Sequence, residues 1–311
     1  MFTKARYGVA AALLVAGAMF ILGCSGGDDN KTSDNKSSAV TQTAQSGTGA
    51  ATAVSGGSSG TREISIEEKD FAFEMSDTVK PGLVKISAKN TGKESHQVQI
   101  VKWNDGVTQA QFDAALKTPD PSAIFKIVTF VGGPNSIKPG ASQVAYDNLP
   151  PGNYALLCFL EGDDGVPHFA KGMVKPFQVA QGDTGGSAPK ADGTVTLADF
   201  NFLGDVNSLP AKKTTLEVKN GGPQPHELTV IKLNNGITVD QIKQLLNSDT
   251  PPAGPPPIDD AGGLGALQAN QTGYVDLDLK AGQYAFVCFV PDAATGKPHA
   301  ALGMLKAIEV K

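Results

Sequence analysis

Histidine, cysteine and tryptophan are scarce in this chain, at four, three and one of 311 residues. Four histidines leave none over for a second multi-histidine centre once each has a role. Three cysteines permit at most one disulfide. Basic residues are not in excess: 26 Lys and Arg stand against 31 Asp and Glu, for a formal net charge of −5. A chain of that sign gains nothing by charge from nucleic acid or anionic lipid headgroups. A spanning helix needs roughly 20 apolar residues, and the mostly apolar stretch from Gly8 to Leu22 falls short of it. Residues 25 to 60 contain no aromatic residue. Such a segment cannot bury enough apolar surface to order itself.

The N-terminus reads as a targeting segment. Lys4 and Arg6 supply a positive start, and the apolar stretch ends in Ile21-Leu22-Gly23-Cys24. A charged start, a short apolar core and a small residue before the cut describe a secretory signal. The Leu-Gly-Cys ending resembles the bacterial lipobox, which implies cleavage after residue 23, lipidation of Cys24, and a cell-envelope location on the extracytoplasmic side. Cleavage removes two basic residues and no acidic one, taking the formal charge from −5 to −7. Attachment to the membrane then comes from acyl chains, at about 0.8 kcal/mol per buried CH₂. Residues 24–61 are expected to be a disordered tether with a reach of roughly 30–35 Å.

The remainder repeats with an offset of 130. Asn90 matches Asn220, Gly106 matches Gly236, Gly132-Gly133 matches Gly262-Gly263, and Gly152 matches Gly282. Two copies of this length indicate two similar domains, 62–180 and 193–311, joined by a polar linker at 181–192. Within each copy the dominant period is two. Val84, Ile86 and Ala88 alternate with Lys85, Ser87 and Lys89, as Thr214, Leu216 and Val218 do with Thr215, Glu217 and Lys219. Alternation of this kind marks half-buried strands, and many short strands separated by Gly, Pro and Asn indicate β-sandwiches. One helix interrupts each copy, over Thr108–Lys117 and Thr238–Leu246. Both open on Thr-x-x-Gln, a capping box. Thr250 to Pro257 is proline-rich and reads as a stiff extended loop.

All the histidines and the two cysteines left after Cys24 fall at matching places. The first copy has His96, Cys158, His168 and Met173; the second has His226, Cys288, His299 and Met304. Two imidazoles, a thiolate and a thioether are the ligand types of a blue-copper site. The competing possibility for the cysteines is a Cys158–Cys288 bridge. Its geometry requires close approach of two thiols that alternation places inside separate domains.

Three segments per copy resemble the cupredoxin family, most closely its plastocyanin-like and rusticyanin-like members. They are Asn90-Thr-Gly-Lys-Glu-Ser-His96 and Asn220-Gly-Gly-Pro-Gln-Pro-His226, Gly152-Asn-Tyr-Ala-Leu-Leu-Cys158 and Gly282-Gln-Tyr-Ala-Phe-Val-Cys288, and Pro167-His168-Phe-Ala-Lys-Gly-Met173 and Pro298-His299-Ala-Ala-Leu-Gly-Met304. The resemblance implies an all-β fold of two tandem Greek-key cupredoxin-like β-sandwiches, each with one short inserted helix. It also implies up to two bound coppers and an electron carrier. The alternatives are a copper buffering or delivery protein and a redox-silent cupredoxin-fold interaction module. Duplicated cupredoxins also build copper enzymes, but those centres use additional histidines, so the expectation is a carrier and not an enzyme. Glu161, Asp163 and Asp164 make a basic redox partner, such as a c-type cytochrome, the expected partner class. One departure stands out. The family has only a few residues between Cys and the second His, whereas nine stand between Cys158 and His168 and ten between Cys288 and His299. Such inserts could fold back as small excursions or leave the ligands less constrained.

Overall fold

The computed structural model describes residues 62–311, apart from 76–77, 119–120, 163, 205, 249–253 and 255–256. The signal segment 1–23, the lipidation site Cys24, the tether 24–61, Asp163 and most of the proline-rich loop lie outside the described residues.

The fold is all-β. The first repeat contributes β1 (Arg62–Lys69), β2 (Ala72–Glu74), β3 (Thr78–Val79), β4 (Gly82–Asn90), β5 (Gln99–Trp103), β6 (Val128–Gly132), β7 (Ser142–Leu149), β8 (Gly152–Leu157) and β9 (Val174–Val179). The second contributes β10 (Gly193–Ala198), β11 (Asn201–Leu203), β12 (Ser208–Leu209), β13 (Lys213–Asn220), β14 (His226–Leu233), β15 (Ile258–Leu267), β16 (Thr272–Asp278), β17 (Gly282–Val287) and β18 (Leu305–Val310). Each repeat is a two-sheet sandwich, with the crossovers of a Greek key bringing β4 against β7 and β5 against β8.

The expected alternation is present. Val84, Ile86 and Ala88 are buried and their neighbours are not. The predicted helices are α1 (Gln109–Leu116) and α2 (Val239–Leu246), each capped by the predicted threonine with both halves of the capping box formed. Phe112 of α1 stacks on Trp103 of β5 with ring centroids 4.8 Å apart, so α1 covers the outer face of the strand that follows the first histidine. The segment 181–192 is fastened down: Leu83 N–H donates to Gly185 O at 2.9 Å, and Asp192 N–H to Thr215 O at 2.8 Å.

The sheets do not stop between the repeats. One has the order β11-β10-β13-β16-β7-β4-β1-β2 and the other β12-β18-β17-β14-β15-β6-β5-β8-β9-β3. The junction in the first is β7 against β16, with Val144 opposite Asp276, Ala145 opposite Val275 and Tyr146 opposite Tyr274. Ala145 and Val275 are themselves repeat equivalents, so a local two-fold axis runs through that pair. The second junction obeys the same axis: Asn135 N–H donates to Gly263 O at 3.2 Å and Gly265 N–H to Gly133 O at 2.7 Å. This is the self-complementary contact of a symmetric dimer, made inside one chain. It explains why the run from His96 to Val101 is buried throughout, where alternation alone predicts a half-exposed strand.

One core residue breaks the pattern. Glu68 and Leu197 hold equivalent places, opposite Asn90 and Asn220. The Glu68 carboxyl is buried and neither oxygen has a hydrogen-bond partner; burial pushes its pKa up to about 8. A raised carboxyl pKa leaves stability intact below the ordinary value near ~4.3 and erodes it as pH rises through about 8, because the folded state must then hold a dry charge. Glu68→Leu is expected to stabilise the protein by about 1–3 kcal/mol at pH 9 and by less at pH 5. Urea unfolding at the two pH values measures this, and a gain that does not grow with pH would refute it.

Candidate metal centres

Each group takes its candidate ligands from the same three places. His96 precedes β5 and pairs by an isolated bridge with Ile137, while His226 opens β14. Cys158 and Cys288 follow the last residues of β8 and β17. His168 opens a 3-10 turn (His168–Lys171) and His299 a short helix, α3 (His299–Leu302). Gly172 and Gly303 terminate these turns at φ of 108° and 126°, a backbone conformation that disfavours any side chain. The chain thereby turns at once into Met173 or Met304 and the final strand of the repeat.

The long inserts fold back as pinched-off hairpins. In the first, Glu161 pairs with Pro167 and His168 N–H donates to Leu160 O at 2.8 Å. In the second, Pro291 pairs with Pro298 and His299 N–H donates to Val290 O at 3.0 Å. Phe169 and Ala300 then donate to the carbonyls of Cys158 and Cys288, at 2.9 and 2.8 Å. The extra residues are closed off before the histidine, which returns to the cysteine.

The side chains converge. His96 Nδ1 lies 3.1 Å from His168 Nδ1, and Cys158 Sγ lies 3.4 Å from His168 Nδ1. In the second site His226 Nδ1 is 2.9 Å from His299 Nδ1, with Cys288 Sγ 3.4 Å from His299 Nδ1 and 3.9 Å from His226 Nδ1. The three ligand atoms of each group lie within 4.8 Å of one another. Met173 and Met304 are fully buried, and their carbonyls accept from the N–H groups of Cys158 and Cys288 at 3.3 and 3.2 Å. Both cysteines are free, which removes the interdomain bridge.

Carboxylates hold the rings. Asp70 faces His96 Nε2 at 3.2 Å, Glu94 faces His168 Nε2 at 3.0 Å, and Asp199 faces His226 Nε2 at 2.8 Å. A carboxylate at Nε2 keeps the proton there and leaves the Nδ1 lone pair inward, the outer arrangement that metal-bound histidines use. In the first site two inward lone pairs stand 3.1 Å apart and repel unless a cation lies between them; in the second, His226 is set the same way with His299 Nδ1 2.9 Å from it, so each donor set fits a metal. Burial holds His96, His168 and His226 below the ordinary imidazole range, against the pull of their carboxylates. His299 is pushed down to about 4 by burial and then by His226, and its Nε2 has no partner. Burial pushes the Cys158 thiol up to about 12 and Cys288 well above its usual value. In the metal-free protein the sites therefore hold neutral imidazoles and a protonated thiol, and a metal must displace that proton. Phe71 and Phe200 pack edge-on to His168 and His299 at 5.2 and 5.4 Å, shielding them from water.

The sequence reading missed these supporting residues. The repeated Asp70-Phe-Ala-Phe73 and Asp199-Phe-Asn-Phe202 segments were the available signal. It also missed why Gly92 and Gly222 recur: a Cβ at either would stand 2.8 Å from the Nε2 of His96 or His226 and crowd the aspartate beside it.

No family model and no curated protein matches the sequence. Solved structures do. Reduced auracyanin from Roseiflexus castenholzii is 25% identical over 39% of this chain and 98% of its own, with a TM-score of 0.26. A copper nitrite reductase from Nitrosomonas europaea is 16% identical over 81% of this chain and 94% of its own, at 0.23. A copper-containing nitrite reductase from Thermus scotoductus SA-01 is 13% identical over 81% of this chain and 62% of its own, at 0.22. The expectation that the chain is not an enzyme is corrected here: structures similar to it across both repeats include copper enzymes. That exclusion leaned on the count of spare histidines, which does not by itself decide against catalysis. The chain is a cupredoxin-fold protein with two His/Cys/His groups able to bind copper.

Asp199 supports one site only. Asp199→Ala is expected to weaken metal binding there by about 10–100-fold, the usual cost of losing such a partner, and to leave the other site unchanged. Titration against a copper chelator should resolve two affinities in the variant, and uniform weakening of both sites would refute the assignment.

Proposed function

We propose that this chain is an exported, lipid-anchored electron carrier that binds one copper in each repeat. The observation that carries the reading is the twofold convergence of two inward imidazole nitrogens and one sulfur in a dry core. His96, Cys158, His168 and Met173 are the ligands assigned to one copper, and His226, Cys288, His299 and Met304 to the other. Copper bound by such a set supplies a one-electron couple whose potential responds to the weak thioether ligand. The chain's own part is to exclude water, fix the imidazole tautomers and hold the ligands in place before the metal arrives.

Burial of every ligand supports retention of the metal over the fast exchange that buffering or delivery requires. Residues 1–24 support export and a lipid anchor, and so a place in the cell envelope. A basic redox partner such as a c-type cytochrome suits the acidic insert over the first site, although Lys171 already pairs with Asp164 at 2.7 Å there.

Copper-loaded protein is expected to show an intense thiolate-to-copper visible band. Cys158→Ser and Cys288→Ser should each abolish one site's share of the band and of the bound copper, and the double variant should abolish both. A band absent from the wild type, or surviving in the double variant, would sink the proposal.

A further inference from the structure

The two ligand groups are joined by an unbroken line of polar contacts through the buried junction. Gln97, next to His96, donates its backbone N–H to Cys158 Sγ at 3.4 Å. Its side-chain Oε1 accepts from Phe159 N–H at 3.1 Å, and its Nε2 donates to Asn135 Oδ1 at 3.2 Å. Asn135 Nδ2 donates across the junction to Glu227 Oε2 at 3.2 Å and to Thr229 Oγ1 at 2.8 Å. Glu227 mirrors Gln97: its Oε1 accepts from Phe289 N–H at 2.9 Å, and its backbone N–H donates to Cys288 Sγ at 3.5 Å. Between the two sulfurs every gap is a hydrogen bond or a covalent bond.

These residues are costly to bury. Gln97, Asn135 and Glu227 are 5%, 1% and 7% exposed, and removing such groups from water is unfavourable unless each finds partners. Two other amides of the junction serve the sheets, and Ser95 and Ser136 bond the Asp260 carboxyl. Gln99 bonds the backbone of Ile100, Gly132 and Ala266, and Gln143 bonds that of Val144 and Asp276. Gln97, Asn135 and Glu227 instead bond one another, side chain to side chain, and end on ligand sulfurs. Asn135 has no polar counterpart, since its repeat equivalent is Gly265. A bridge on or near the two-fold axis needs one central residue, not two.

We infer that Gln97, Asn135 and Glu227 form a bridge that carries electron exchange between the two sites, so that the chain works as one two-electron unit. The inference rests on the copper reading above. In the exchange one electron leaves the reduced site and arrives at the oxidised one, with no net oxidant consumed. Asn135 touches no ligand and is a positioning residue: it holds the two halves of the path in contact.

The test uses the two-copper protein reduced by one electron in a rapid pulse, with redistribution between sites followed by optical and paramagnetic resonance signals. Asn135→Leu is expected to slow redistribution by about tenfold or more, because apolar contact replaces a polarisable hydrogen-bonded chain, with both visible bands intact. Asn135→Asp keeps the size and can still accept from Gln97, removes the Nδ2 donor to Glu227 and Thr229, and is expected to slow it similarly. A second readout needs no electron transfer: the Asn135 side-chain amide protons of the wild type should shift in nuclear magnetic resonance when Cu(I) fills either site alone, the other being disabled by Cys→Ser. Unchanged redistribution in both variants, or amide protons blind to Cu(I) at one of the sites, overturns the bridge while leaving the carrier intact. A wild type without copper bands overturns the carrier reading and the bridge with it.

Discussion

Two imidazole nitrogens, and a sulfur against them, are held in contact inside a water-free core. Left alone, that arrangement is unfavourable. In the first site the lone pairs repel, and in both the imidazoles and thiol have lost their hydration. The rest of each repeat offsets this. Asp70 and Asp199 fix the first ring and Glu94 the second ring of the first site. Asp70 in turn accepts from the backbone N–H of Lys93 at 2.7 Å and of Glu94 at 3.3 Å, so the loop before His96 and the turn after β1 are tied to one carboxylate. The glycines at 92 and 222 exist to let that carboxylate and that ring approach.

The same constraint sets how the repeats meet. The strand that carries the first histidine cannot expose its far face without wetting the cysteine beside it. In this chain that face is covered by the other repeat, through sheets that continue from β7 into β16 and from β6 into β15. Apolar residues of both copies, among them Val101, Phe130, Leu264 and Leu267, belong to one continuous core. The junction thus does for each site what a partner subunit does in a symmetric dimer, without the concentration dependence of a dimer.

The His/Cys/His groups, the strand faces and the capped helices were legible because each rests on local pattern: alternation along Val84–Ala88, the Thr-x-x-Gln starts at 108 and 238, and the doubled His-Cys-His order. Residues whose meaning depends on distant partners were not. Gln97, Gln99 and Asn135 look like solvent-facing polar residues in a strand or turn, and only the second repeat's arrival buries them. Asp70 and Glu94 read as surface charges until the fold carries them to the imidazoles. The inserts after the cysteines left two outcomes open in the sequence. The deciding contacts, Glu161 with Pro167 and Pro291 with Pro298, are made within the inserts themselves; their turn residues, Gly162 and Gly165 or Asp292, Thr295 and Gly296, stand in the sequence, but whether the closed turn returns the histidine to the cysteine does not.

Duplication produces two like sites, and the differences between them are therefore informative. Glu94 supports His168, but its equivalent Gln224 turns away to bond Asp292 at 2.9 Å, leaving His299 Nε2 bare. Gln97 is neutral where Glu227 carries a carboxyl, and Glu68 lies in a core where its counterpart is Leu197. None of these exchanges alters a ligand. The exchanges at 94 and 224 and at 97 and 227 alter the charge or hydrogen bonding beside one, which is the level at which a protein tunes a metal without changing its coordination. For the exchange proposed above, unlike surroundings are the means by which two copies of one ligand set would come to differ in potential and so give an electron a direction.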